Sequence, residues 1–169
     1  MLRDTKGYTL IELTVVVVLI GLMLTLTIPR FQSAILTDDL KSMTRKMIGM
    51  MKGLRDEAIR EHKDYLLHFD LESNRFWIDT TDMTEEERAR AAELATPFPE
   101  RVRVLDVWFR GKGKTMSGQT TIRFNKKGYA QPSVIHLGSE DGREFTLVLS
   151  PFLAKVEIYE KYIEFEDMS

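Results

Sequence analysis

The sequence predicts an α+β fold: a long N-terminal helix, first membrane-spanning and then amphipathic, packed on a C-terminal antiparallel β-sandwich. Three observations lead there. From Leu10 to Ile28 run 19 residues with a single ionisable side chain, Glu12. From Leu36 to Ala58, apolar residues recur at spacings of three and four. From residue 63 onward, short alternating segments are separated by turn residues. The expected organisation is a short charged segment over 1–7, a membrane-spanning segment over 8–29, a helical continuation over 30–62 and a β-rich globular domain over 63–169.

The first segment is long enough, at about 1.5 Å per residue, to cross most of a ~30 Å hydrocarbon layer. Arg3 and Lys6 precede it, which predicts a single pass with the N-terminus cytoplasmic and the remainder on the far side of the membrane. The residues after the run, Ile28-Pro29-Arg30-Phe31-Gln32-Ser33-Ala34, fit an ordinary signal-peptide cleavage site poorly. Beyond Pro29 the helix is expected to continue through Leu36, Leu40, Met43, Met47, Met50 or Met51, Leu54 and Ala58, and to end near Glu61. Continuous from Tyr8, it would measure about 80 Å, with any bend at Gly21 or Pro29. The methionine-rich stripe reads as core rather than as a docking face.

Tyr65–Leu71 and Arg75–Asp79 read as two strands joined by a turn at Glu72-Ser73-Asn74. Thr84 and Glu87 have capping-box spacing and open a short polar helix that runs to Leu94, stopped by Pro97 and Pro99. It reads as a solvated connector. Strand-like segments follow at 101–110, 120–124, 133–137, 144–149 and 155–165, six or seven strands in all. Turn signals such as Gly111-Lys112-Gly113 and Glu140-Asp141-Gly142 lie between them.

Two stretches bear a family resemblance. Gly7-Tyr8-Thr9-Leu10-Ile11-Glu12-Leu13, after its short charged leader, resembles the signal of type IV pilins and type II secretion pseudopilins. The resemblance implies that a prepilin peptidase cuts after Gly7 and N-methylates Tyr8. It implies assembly roles for Glu12 and Thr9, and helix-loosening roles for Gly21 and Pro29. Cleavage would place a new α-amino group four residues before Glu12, one helical turn away, where it can offset the cost of a carboxylate in lipid. Leu54-Arg55-Asp56-Glu57-Ala58-Ile59-Arg60 and Ile122-Arg123-Phe124-Asn125-Lys126-Lys127-Gly128 are similar to segments of the H-type minor pseudopilins and of the related FimT-like pilins. Leu54, Ala58 and Ile59 are expected to face the sheet, with the charges solvated. The resemblance implies a pseudopilus subunit of a type II secretion system. Its partners would be other pseudopilins, prepilin peptidase, and an inner-membrane assembly platform with its ATPase. The alternative it implies is a minor type IV pilin acting in pilus assembly or DNA uptake.

The chain has 169 residues, a net charge of −2 and no cysteine, which excludes thiol catalysis and cysteine metal sites. His62, His68 and His136 are scattered, and His68 reads as a surface or edge residue. No nucleophile elbow, P-loop or HExxH occurs, so no enzyme activity, cofactor or metal is expected. Asp141-Gly142 reads as a tight turn rather than a calcium loop. From Arg101 to Lys127 there are eight Lys or Arg against one acid, Asp106. Arg123, Lys126, Lys127, Lys112 and Lys114 are therefore the candidate nucleic-acid contacts, weighed against an acidic C-terminus that would repel phosphate. Nucleic acid is not the expected partner.

Overall fold

The computed structural model describes residues 9–35, 38–151 and 155–165; the side chains of 24–38 lie outside this description. The chain divides into two compact units, Met1–Asp38 and Asp39–Ser169. The first unit contains one helix, α1 (Leu10–Ile35). Its backbone is helical through Gly21 and Pro29. The second helix, α2, spans Asp38–Glu61. Residues 36–37 lie outside the described ones, and the expectation of one continuous helix from Tyr8 to Glu61 falls there.

The stripe of α2 is core. Leu40, Met43, Met47, Met51, Leu54 and Ala58 are each at most 4% exposed. Their spacing of three or four places them on one face. Of the alternatives Met50 and Met51, the buried one is Met51, while Met50 packs at the margin. The helix ends where expected. His62 adopts a left-handed φ of 57°, and the Lys63 amide donates back to the Ala58 carbonyl at 3.2 Å, which satisfies a terminal carbonyl.

The chain then forms β1 (Tyr65–Asp70), β2 (Arg75–Thr80), α3 (Glu85–Glu93) and β3 (Thr96–Pro97). There follow β4 (Val102–Phe109), β5 (Gly113–Thr115), β6 (Gln119–Phe124), β7 (Ser133–Ser139), β8 (Glu144–Leu149) and β9 (Val156–Tyr159). These form two antiparallel sheets, ordered β3-β2-β1-β6 and β5-β4-β7-β8-β9. The expected count of six or seven strands missed the two shortest, β3 and β5. Pro97 stops α3 as anticipated and also ends an edge strand, a position where its missing N–H costs no ladder bond. Thr84 caps α3 with the complete reciprocal box to Glu87, and no residue of α3 is buried.

Both sheets share one core with α2. Leu67, Phe69, Ile122 and Phe124 come from the four-stranded sheet; Val107, Phe109, Ile135, Leu137 and Leu147 come from the five-stranded one. Asn74 joins the sheets: from the β1–β2 turn, its side-chain amide donates to the Val102 carbonyl at 2.7 Å. Asn74 has φ 53°, and asparagine tolerates this conformation better than most side chains.

The last expected strand, 155–165, is corrected. Ladder pairing ends at Tyr159, and residues 160–165 cross the outer face of the five-stranded sheet instead. Thr146 and His136 offer side-chain partners there, so the backbone hydrogen bonds of this segment go to side chains rather than to a neighbouring strand.

Met47→Ala is expected to cost about 2–5 kcal/mol, whereas Met50→Ala costs clearly less. Urea unfolding followed by tryptophan fluorescence measures both. Equal losses would show that the stripe is not the core seam.

Candidate functional site

The N-terminal motif begins at a helix cap. Thr9 precedes the first helical residue; its carbonyl accepts from the Leu13 amide at 3.2 Å and its hydroxyl from the Glu12 amide at 3.3 Å. Glu12 is thus the third residue of the helix, and Thr9-x-x-Glu12 has the spacing of a capping box, which the sequence reading passed over. A carboxylate in the first turn faces the positive end of the helix dipole. Thr9 and Glu12 are brought together. Gly7 and Tyr8, including the α-amino group expected to pair with Glu12, lie outside the described residues.

The side chains described in α1 are those of Leu10–Met23. Their large apolar groups are all exposed, from 46% at Val16 to 85% at Leu10. No helix among the described residues is long and apolar enough to cross a membrane. The described part of the run stops at Met23, short of the ~20 residues a crossing needs. Gly21 lies on this helix, and a Cβ added there would meet nothing within 4 Å.

The candidate nucleic-acid residues are distributed over two sheets. Arg123, Lys126 and Lys127 lie on or just after β6 in the four-stranded sheet, while Lys112 and Lys114 lie at the β5 edge of the five-stranded sheet. Arg123 donates to Asp64 through Nε, at 3.0 Å, and through Nη2. The Lys126 amide donates to the other Asp64 oxygen at 2.8 Å. These contacts hold the Asp64 carboxyl below its usual range, with the Arg123 hydrogen bond the larger cause. Lys114 pairs with Glu164 at 3.5 Å and lies 5.1 Å from the centre of the Tyr162 ring. Lys112 is exposed in the β4–β5 turn, and the Lys127 amide is held by Asn125 at 2.9 Å. Two of the five side-chain cations therefore already have carboxylate partners.

The two segments of family resemblance in the globular unit meet each other. Arg55 Nε donates to the Gly128 carbonyl at 2.8 Å. Gly128 has φ +82°, and a Cβ there would lie 2.7 Å from Ile59 Cδ1. Two expectations are corrected here. Arg55 is not merely solvated, and Ile59 is 41% exposed, resting on the Gly128 turn rather than facing the sheet. The helical wheel places Ile59 one residue off the buried stripe, over the hairpin that follows β6.

Sequence reasoning also missed two histidine–aspartate pairs. His68 lies on β1, a central strand, not at an edge. Its Nδ1 is 2.8 Å from the Thr121 hydroxyl and its Nε2 is 2.9 Å from Asp79, and its ring stacks on Trp77. His136 Nδ1 is 2.7 Å from Asp106, and both residues are buried. The available signal was an acid within a strand-like stretch, which needs a buried partner. No group of three or more potential metal ligands occurs among the described residues. Asp141 is occupied by Arg143, at 2.8 Å to each of its Nε and Nη2.

A family model described as the prokaryotic N-terminal methylation motif matches residues 2–28. Type II secretion system protein H of Pseudomonas aeruginosa is 28% identical over 149 residues, covering 88% of this chain and 85% of that protein. Two structures of the minor pseudopilin EpsH, from the type II secretion system of Vibrio cholerae, share the fold. Their TM-scores are 0.55 and 0.57 at 11% identity, and each match covers 76% of this chain and 98% or 100% of the other. By motif, by relative and by fold, the chain is similar to the H-type minor pseudopilins. The pseudopilin fold was the sequence expectation, and the contact of Arg55 with the Gly128 turn now connects its two internal segments.

Gly128→Ala should cost about 1–2 kcal/mol, because a side chain at positive φ is strained and Ile59 must also shift. Urea unfolding of Gly128→Ala and of Gly128→Asn measures it, and asparagine should lose less. The depressed Asp64 carboxyl makes a contribution that is complete above its unfolded value of about 3.9. This contribution disappears as pH falls through the lower folded value. The gap in urea midpoint between the natural chain and Asp64→Asn should therefore be constant above about pH 5 and close in acid. A gap that widens in acid would contradict the pairing.

Proposed function

We propose that this chain is a minor pseudopilin of a type II secretion system, cut by prepilin peptidase between Gly7 and Tyr8, N-methylated on Tyr8 and assembled into a short pseudopilus that drives protein export. The observation that carries this reading is the methylation motif over residues 2–28 joined to a globular unit with the EpsH fold. No step of chemical catalysis is assigned to the chain.

In this reading the precursor is anchored in the inner membrane by the apolar run Leu10–Ile28, with Arg3 and Lys6 on the cytoplasmic side and the globular unit in the periplasm. The exposed apolar side chains of α1 are covered first by lipid and then, in the filament, by neighbouring helices. Transfer between two apolar surroundings leaves the hydrophobic term nearly unchanged, so packing and polar contacts decide the balance. Glu12, in the first turn, has two favourable partners: its own helix N-terminus and the α-amino group that cleavage creates. Gly21 and Pro29 supply local loosening for bending during extraction. An assembly platform and its ATPase provide the work, and other pseudopilins are the lateral partners.

The outcomes follow from these roles. Glu12→Ala and Glu12→Lys should leave cleavage largely intact but impair incorporation into the filament, with lysine worse because it opposes both the dipole and the new amine. Mass spectrometry of the mature N-terminus and cross-linking to neighbouring subunits separate the two steps. Normal incorporation of both variants would exclude the register role. Gly7→Ala should leave the precursor uncut, and a natural protein recovered from its own membranes still beginning at Met1 would remove the proposal.

A further inference from the structure

The outer face of the five-stranded sheet carries two neighbouring rows of side chains. The first is polar. An irregular register in β4, between Val104 and Asp106, turns Asp106 outward while Val107 stays in the core. Asp106 lies opposite His136, and His136 opposite Thr146. Residues 160–165 form a strap over this row. The Thr146 hydroxyl donates to the Lys161 carbonyl at 2.7 Å and accepts from the Ile163 amide at 3.0 Å. The Tyr162 hydroxyl donates to Asp106 at 3.0 Å. The second row lies two residues further along β4 and is mostly apolar: Lys114, Trp108, Val134, Val148 and Glu157 face one another in register from β5 to β9. The strap borders it, with the rings of Phe165 and Trp108 centred 5.9 Å apart. Beside the strap is a groove of about 270 Å³, floored by Trp108, Val134 and Val148, walled by Phe165 and Pro151, and rimmed by Arg110.

The chemistry of this groove defines what fits it. An apolar cavity of about 150 Å³ takes a benzene-sized group, so this one has room for a branched aliphatic side chain and part of its backbone. At its ends, Lys114 is held by Glu164, and Glu157 by Lys155 and the Tyr159 hydroxyl. Arg110 is exposed and enters no ion pair among the described residues. The complement is an aliphatic side chain with a carboxylate beside it. The chain itself presents one. Outside α1, two large apolar side chains among the described residues are at least 70% exposed: Leu94, at 75%, and Met116, at 70%. Met116 lies between Thr115 and Ser117, whereas Leu94 directly follows Glu93, which is exposed and also enters no ion pair there. Leu94 caps α3, a helix of which no residue is buried, so this apolar end packs on nothing in its own unit.

Leu94 cannot reach the groove of its own chain. It stands two residues before β3, and the Phe98 amide just after β3 donates to the Asn74 carbonyl at 3.0 Å. Asn74 in turn bonds Val102, the first residue of β4. The groove lies around Trp108, six residues along that strand or about 20 Å away, on the face turned from the shared core. We propose that the Trp108–Phe165 groove of one chain receives Leu94 of a second copy, with Glu93 of that copy on Arg110. The leucine and the groove floor leave water together, which supplies the attraction, and the ion pair fixes the register. Knob and socket are different patches at opposite ends of the globular unit. The contact is therefore heterologous and builds an open head-to-tail row rather than a closed pair. It involves none of the N-terminal motif, so it stands or falls separately from cleavage at Gly7.

The natural chain has no cysteine, so thiol cross-linking can be placed at will. Ala95→Cys sits beside the knob and Ser150→Cys on the groove lining. The full chain carrying both, purified and reconstituted alone in phospholipid vesicles, is treated with a short bismaleimide. The expected product is a ladder of dimers, trimers and longer species. Arg110→Glu or Glu93→Arg, each added to that chain, should lower the cross-linked yield about tenfold, because each sets like charges against one another. Both changes together restore the opposite pairing and should restore the ladder. Arg110 and Glu93 are exposed, so none of these variants disturbs the core. Absence of a ladder from the purified chain overturns the proposal, as it would if the groove served a different protein. A ladder that Arg110→Glu leaves unchanged, or that the double reversal fails to restore, overturns it equally.

Discussion

Six side chains of α2, from Leu40 to Ala58, are withdrawn from water by a core that they share with the inner faces of two sheets. Each of the three elements has one apolar face and would be unstable alone, because a single sheet or an amphipathic helix must bury its apolar side against something else. A fully buried methionine or leucine contributes about 1.5–3 kcal/mol relative to exposure. The stripe is therefore on the scale of the whole stability of a small domain before the entropy of ordering is set against it. Its methionines suit the position, since an unbranched side chain can fill irregular gaps in a core.

The polar contacts are placed where this apolar core ends. Arg55, on α2 beside the stripe, fastens the turn after β6 through the Gly128 carbonyl. Asn74 does the same between the β1–β2 turn and β4. Asp64, just before β1, gathers Arg123 and the Lys126 amide. Each satisfies backbone groups in a turn that the sheet ladders leave open. Within the basic stretch, Arg123 is taken up by Asp64 and Lys114 by Glu164.

The two helices differ in what their apolar residues meet. Those of α2 are inside the folded unit; those described in α1 are nearly all open. An all-round apolar helix with a capped, acidic first turn has no stable solution in water alone. It calls for lipid or for other helices of its kind.

The parts that depend on local pattern were readable in the residues: the apolar run, the α2 stripe, the capping box at Thr84, the β1–β2 hairpin and the turns at glycines with positive φ. Each is determined within a few residues, by helical or strand periodicity or by turn chemistry. The Thr9–Glu12 cap is equally local. Tertiary structure alone decided that Arg55 meets Gly128, that His68 sits in a central strand, and that Asp106 turns outward to His136 beneath the C-terminal strap. Those pairings join residues from 11 to 73 positions apart, and a single register shift in β4 settles which face Asp106 occupies. Periodicity cannot carry such information, because the partner of a buried charge is selected by packing in space and not by its neighbours along the chain.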